Sequence, residues 1–232
     1  MESDERIREA VIKTQVIRPP KQSLSTFGTT NVYYYLVSEA SYNELISAQE
    51  TVIREGRVIA ERPKIVTPYY LSRVQGFSSE AAKYFEMLMN NYNANSPGLF
   101  YAYRNEPKEM NMVSDNMEAV VAKLSADIDK KGDPMTSIIK GEDMLWDVSI
   151  LKFIYEITDR SLPDNVSQLN QRGLLRMDSS GLPADARVRI EGLFEMVGKG
   201  DLEPSVLKTE LDRWGVFEEY QDRFFKVFKT KS

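Results

Sequence analysis

The chain has 232 residues, 42% hydrophobic and 28% charged, a balance that suits one large folded domain or two modest ones and not a disordered chain. Its formal net charge is −5, so no strong overall pull on nucleic acid or on an anionic membrane is expected. With no cysteine and no histidine, disulfides, thiolate and imidazole metal sites, and Ser-His-Asp or Cys-His catalysis are excluded; chemistry would rest on carboxylates, lysine, tyrosine, hydroxyls or an oxygen-ligated cation.

The acidic, amphipathic start, MESDERIREAVIK, has no apolar core of a secretory signal and predicts a helix over 4–16, ended by Arg18-Pro19-Pro20. No stretch approaches the length of a membrane span, so a soluble, cytoplasmic protein is expected. Asn31 to Glu39, NVYYYLVSE, reads as a strand with Tyr33 and Tyr35 on one face and Tyr34 on the other. Both faces are mostly apolar, the pattern of a strand covered on both sides. Ser41 to Glu44 has capping-box spacing for a short helix to Glu50.

TVIREGRVIAER follows, and Glu55-Gly56 between two apolar arms predicts a hairpin, with Pro63 marking an edge. A helix is expected over 78–92. LFYAYR and EMNMV, separated by NEPK, predict a second hairpin. From Ser114, taken as an N-cap, Met117, Val120, Val121 and Leu124 recur at helical spacing, and Gly132 sits at the C-cap. Asp133-Pro134 predicts the start of another short helix. Residues 143–158 are apolar on most of their circumference, which predicts a centrally buried helix; a further helix is expected over 163–172. RMDSSGLPAD has the composition of a linker, and helices rich in aromatics close the chain.

Several clusters carry candidate chemistry. Asp143 and Asp147, at i, i+4 spacing, are the candidate divalent-metal ligands. Arg54, Arg57, Arg62, Tyr69, Tyr70 and Arg73 form the most basic and aromatic neighbourhood, a candidate binding site for a phosphate-bearing ligand or an acidic partner. Trp214, Phe217, Tyr220, Phe224 and Phe228 are the candidate interface, since a short segment beyond a linker buries little core alone. Three Ser-x-x-Lys pairs (Ser137/Lys140, Ser149/Lys152, Ser205/Lys208) lack the companion motifs of an acyl-enzyme. Asp127 to Gly132 resembles the start of a calcium loop but has Ile138 where the bidentate glutamate belongs. The sequon Asn165-Val166-Ser167 matters only in a secreted protein.

The expected fold is α+β: a mixed or antiparallel sheet with flanking helices, for which the element order allows a ferredoxin-like βαββαβ core, then an all-helical C-terminal part. The boundaries are an α+β domain over 1–113, helices packed on it over 114–176, a linker over 177–184 and a C-terminal helical segment over 185–232. The function expected is a non-catalytic interaction, scaffold or regulatory role with a protein partner or by self-association, without cofactor and without membrane. The alternatives are a divalent-metal-dependent enzyme using carboxylates on a phosphorylated substrate, and a weak nucleic-acid binder. The nucleic-acid reading is disfavoured, because the third strand of that core would lack the aromatics an RNA-binding sheet uses.

Overall fold

The computed structural model describes residues 2–40, 50–67, 69–70 and 97–229. They contain α1 (Glu2–Lys13), β1 (Gln15–Arg18), β2 (Thr30–Glu39), β3 (Thr51–Ala60), β4 (Lys64–Val66), β5 (Gly98–Phe100), β6 (Tyr103–Val113), α2 (Met117–Lys131), β7 (Thr136–Lys140), α3 (Trp146–Gln171), α4 (Ala184–Lys199), α5 (Pro204–Trp214) and α6 (Phe217–Lys229). This is the α+β class expected, with helices toward the C-terminus. The chain forms two compact units, Met1–Arg62 with Tyr101–Ser167, and Pro63–Phe100 with Gln168–Ser232. The helices expected over 41–50 and 78–92 lie outside the described residues.

In the first unit a mixed sheet has the order β1-β7-β2-β3-β6. Strand alternation sorts its side chains. Val32, Tyr34, Leu36, Val58, Ala60 and Ile139 face α3, where Ile150, Phe153, Ile154 and Ile157 pack on them. Val37, Ile53, Val113 and Ile138 face the other way, onto Val120, Val121, Leu124 and Ile128 of α2. The tyrosine strand thus packs on both faces, as its pattern predicts, except at Tyr33, which stays exposed.

The expected hairpin over 51–62 is instead one strand, paired with β2 from Thr30 opposite Ala60 to Glu39 opposite Thr51. Gly56 makes no turn. It lies opposite Tyr34, and a Cβ there would stand 2.3 Å from the Tyr34 hydroxyl oxygen and 2.5 Å from Cζ. Gly56 is the hollow over which the buried Tyr34 ring lies. The hydroxyl reaches Asn105 Oδ1 at 3.0 Å, and burial raises its pKa above the usual tyrosine value, against the pull of that bond.

The second expected hairpin is also one strand, β6. NEPK is not its turn but its irregularity: Glu55 pairs with Glu109 while Gly56 pairs with Pro107, leaving Lys108 as an extra residue in a bulge. Proline is tolerated there because β6 is an edge strand with no neighbour needing its N–H. With one strand over 51–60 where the ferredoxin-like order requires two, that arrangement is not formed. Strands β2, β3 and β6 are antiparallel neighbours, and β7 returns beside β2 in parallel.

Asp133 does not start a helix. Its carboxylate accepts the Met135 N–H at 2.8 Å and the Thr136 hydroxyl at 2.9 Å, and the chain extends into β7. The β-branched Thr136, Ile138 and Ile139 decide this, because Ile138 and Ile139 bury on opposite faces of an interior strand. Asn116, not Ser114, caps α2, accepting the Ala119 N–H; Gly132 ends it with φ 69°. The two helices expected over 143–158 and 163–172 are one continuous α3 with Pro163 inside it. Fully buried Asn165 ties α3 to the preceding loop, donating to Leu24 O and Thr26 Oγ1 and accepting from Tyr101. Its amide is therefore closed to a glycan.

The second unit packs α4, α5 and α6 around Leu182, Ile190, Phe194, Leu207, Leu211 and Trp214. Gly200 and Gly215, with φ 87° and 70°, close the first two of these helices. Residues 177–184 form a hydrogen-bonded turn within this unit. Asp178 Oδ1 accepts the Ser180 and Leu182 N–H groups and the Ser180 hydroxyl, and Oδ2 pairs with Arg187. Burial works to raise the Asp178 carboxyl, but the Arg187, Ser180 and Leu182 donors outweigh it and hold it at about 2. A carboxyl depressed in the folded chain stabilises above its ordinary pKa and loses that contribution as pH falls through the depressed value. Urea midpoints measured from pH 5 downward are expected to drop by the equivalent of about 1–2 kcal/mol from this group, and Asp178→Asn should flatten that part of the profile.

Candidate functional site

Arg54 and Arg57, grouped together in the sequence, do not converge. Because β3 is a single strand, Arg54 and Arg57 point to opposite faces of the sheet. Arg54 meets Asp143 at 2.5 Å and lies over the Trp146 ring at 5.9 Å, both side chains of the ion pair being mostly covered. Arg57 meets Glu106 at 2.7 Å on the α2 side. Arg62 follows β3 in the first unit, while Tyr69 and Tyr70 belong to the second. Tyr70 is buried there against Trp214 and donates to Glu210 at 2.9 Å. Arg73 lies outside the described residues.

Asp143 and Asp147 do not share a helix face, since α3 begins at Trp146 and Asp143 precedes it. Asp143 is the anchor of Arg54, and Ser38 donates to it at 3.4 Å; Asp147 accepts the Val148 N–H in the first turn. Among the described residues no group of three or more acidic side chains is placed to hold a metal ion. Of the C-terminal aromatics singled out, Trp214, Tyr220 and Phe224 are buried in the core of the second unit, with Phe217 packed against them. The described part of Phe228 is its backbone alone. Of the Ser-x-x-Lys pairs, Ser149 is buried against Thr14, and Lys152 donates to the carbonyls of Val11 and Thr14 at the end of α1. Ser137 and Lys140 lie on a strand, where three-residue spacing sends them to opposite faces.

Two surface features stand out instead, both in the first unit. The first is on α3. Its inner face carries Ile150, Phe153, Ile154 and Ile157 into the core, but the helix is not centrally buried as expected. Leu151, Tyr155, Leu162 and Val166 are exposed by 64%, 71%, 39% and 38%. At 100° per residue these four fall within about 60° of arc, well away from the buried side. The all-round apolar pattern has a physical reason: one side packs on the sheet, and the other carries an exposed apolar stripe. Charges flank it unevenly. Lys152 is bound to α1, while Asp147 and Asp159 are exposed.

The second feature is a groove of about 530 Å³ on the α2 side of the sheet, beside Tyr33 and Arg57. Neither feature was foreseen. The stripe was divided in the sequence between two helices, and Lys108 and Lys131, which line the groove, lie far apart in the chain. The chain matches no protein-family model, no curated protein and no solved structure. No helix of the described residues is long and apolar enough to cross a membrane.

Proposed function

We propose that the protein is a non-catalytic interaction protein that presents the outer face of α3 to a basic amphipathic helix of a partner protein. The observation that carries this reading is the stripe of Leu151, Tyr155, Leu162 and Val166, exposed on a helix whose other side is firmly packed. Contiguous exposed apolar groups favour association, and anchors at i and i+4 match the way one helix reads another. Tyrosine is also a frequent energetic centre of such contacts.

The charge pattern selects the occupant. Lys152, the cation beside the stripe, is engaged with backbone carbonyls, whereas Asp147 and Asp159 face solvent, so the rim favours lysine or arginine on the incoming helix. A second copy is disfavoured, because antiparallel pairing about the middle of the stripe would set Asp159 near its own counterpart.

The test uses two synthetic amphipathic helices with the same leucine stripe, one flanked by lysines and one by glutamates, titrated by fluorescence anisotropy. The lysine-flanked peptide is expected to bind, more weakly as salt rises, and Tyr155→Glu with Leu162→Glu should reduce its affinity at least about tenfold. Equal affinity for both peptides, binding to neither, or indifference to the double substitution would overturn the reading. Dimerisation in analytical ultracentrifugation that the same substitutions abolish would replace the basic partner with a second copy.

A further inference from the structure

The groove on the α2 side is laid out by strand register. Thr136 of β7 lies beside Tyr33 of β2, Tyr33 opposite Arg57 of β3, and Arg57 opposite Glu106 of β6, so one row of side chains crosses four strands. Helix α2 packs on Val37, Ile53 and Ile138 and ends at Lys131; along the row Thr136 is buried, Arg57 and Glu106 are half-buried and Tyr33 is exposed. The Tyr33 ring is 41% exposed. Three strand spacings make the row about 14 Å long, and a groove of about 530 Å³ falls within the range of small-molecule sites.

The charges of the groove are unequally engaged. Glu106 is held by Arg57 at 2.7 Å and by Arg104 at 3.0 Å. Asp133 is occupied by the Met135 N–H and the Thr136 hydroxyl. Lys108 and Lys131 are exposed and make no ion pair among the described residues; Glu55 also lines the groove without one. Lys108 owes its position to the bulge, a device that re-aims a side chain at a strand edge.

From this we infer a second binding site, independent of the α3 stripe: the groove takes a ring-bearing organic phosphate of mononucleotide size. The ring lies on Tyr33 and the Arg57 guanidinium, which Glu106 holds in place. The phosphate is met by Lys108 and Lys131, and Glu55 accepts a hydrogen bond from a hydroxyl or amino group of the ligand. Arg57 and Arg104 take up Glu106, which leaves Lys108 and Lys131 as the cations of the groove open to an anion. The tyrosine face supplies the preference for a ring over bare phosphate.

The test is an amide NMR titration of the full chain with AMP, GMP, CMP and UMP, with adenosine and inorganic phosphate as the partial ligands. At least one mononucleotide is expected to give saturable shifts at Tyr33, Gly56, Arg57 and Lys108, with the corresponding nucleoside and phosphate each at least about tenfold weaker. Lys108→Glu with Lys131→Glu, both exposed positions, should weaken that nucleotide at least about tenfold and leave the rest of the spectrum in place. Tyr33→Leu should bring nucleotide affinity down toward that of phosphate. No saturable shift in the groove with any of the four nucleotides would overturn the inference. So would equal affinity in the lysine variant, or a response to phosphate that the ring does not strengthen.

Discussion

Asp185→Ala is expected to cost the second unit roughly 3–5 kcal/mol, the largest single effect in the molecule. Asp185 is 1% exposed, at the start of α4. Its Oδ2 accepts the Ile65 N–H at 3.4 Å and stands 3.7 Å from Arg189 Nε. Arg189 in turn donates to Ile65 O at 3.3 Å and faces Glu210 at 3.6 Å, and Glu210 accepts from Tyr70 and Trp214. One charged network therefore holds both backbone polar groups of Ile65 in β4 and joins α4 to α5. Arg189 Nε and Nη1 are buried without hydrogen-bond partners, so the guanidinium is already short of acceptors before Asp185 is removed. Taking the carboxylate away leaves a covered cation with Glu210 as its one remaining counter-charge among the described residues and the Ile65 N–H without its acceptor, the expensive half of breaking a buried pair. Replacing both partners, Asp185→Leu with Arg189→Met, should recover only part of the loss, since no unpaired charge remains at the pair but Ile65 N–H, Ile65 O and Glu210 lose these partners. The chain's two tryptophans lie one in each unit, Trp146 and Trp214. A Trp146→Phe background makes Trp214 fluorescence a reporter of the second unit in urea. A loss below about 1 kcal/mol for Asp185→Ala would contradict this account of the network.

Gly56→Ala is expected to cost the first unit about 1–3 kcal/mol through overpacking. The added methyl would collide with the hydroxyl and Cζ of Tyr34, and it would come within 2.9 Å of the Glu106 carbonyl oxygen. The ring cannot step aside cheaply, because Tyr34 is almost wholly buried in the cluster under α3. The backbone of β6 cannot retreat without disturbing the bulge beside it. Tyr34→Phe removes the atom nearest the new methyl, so the double variant should be less destabilised than the sum of the two single changes. Amide hydrogen exchange across β2 and β3 measures the effect locally. Strict additivity would mean that Gly56 is required for some reason other than the tyrosine. Because β3 floors the groove as well as the core, Gly56→Ala should also weaken nucleotide binding, whereas Asp185→Ala should leave it unchanged.

Residue types and short-range patterns were enough to establish the α+β class, the apolar character of both faces of the tyrosine strand, the cap at Gly132 and the presence of aromatic-rich helices at the C-terminal end. These features depend on local propensity and side-chain alternation, and the chain carries both at each position. They also removed whole classes of chemistry, since a group absent from the composition is absent from every fold. Partnership decided the rest. Glu55-Gly56 has the composition of a turn, but the tyrosine opposite makes the glycine a hollow in a continuous strand. Thr136 to Lys140 follows a helix-like start, yet two neighbouring strands claim its backbone. Residues 143–158 look buried all round, but the sheet can cover only one side of a helix lying on it. The arginines of β3 are neighbours in sequence and are separated by the pleat, whereas Lys108 and Lys131 become neighbours of one groove through register and a bulge. Which side chains share a surface is set by pairings across tens of residues, and no local pattern in this chain encodes them.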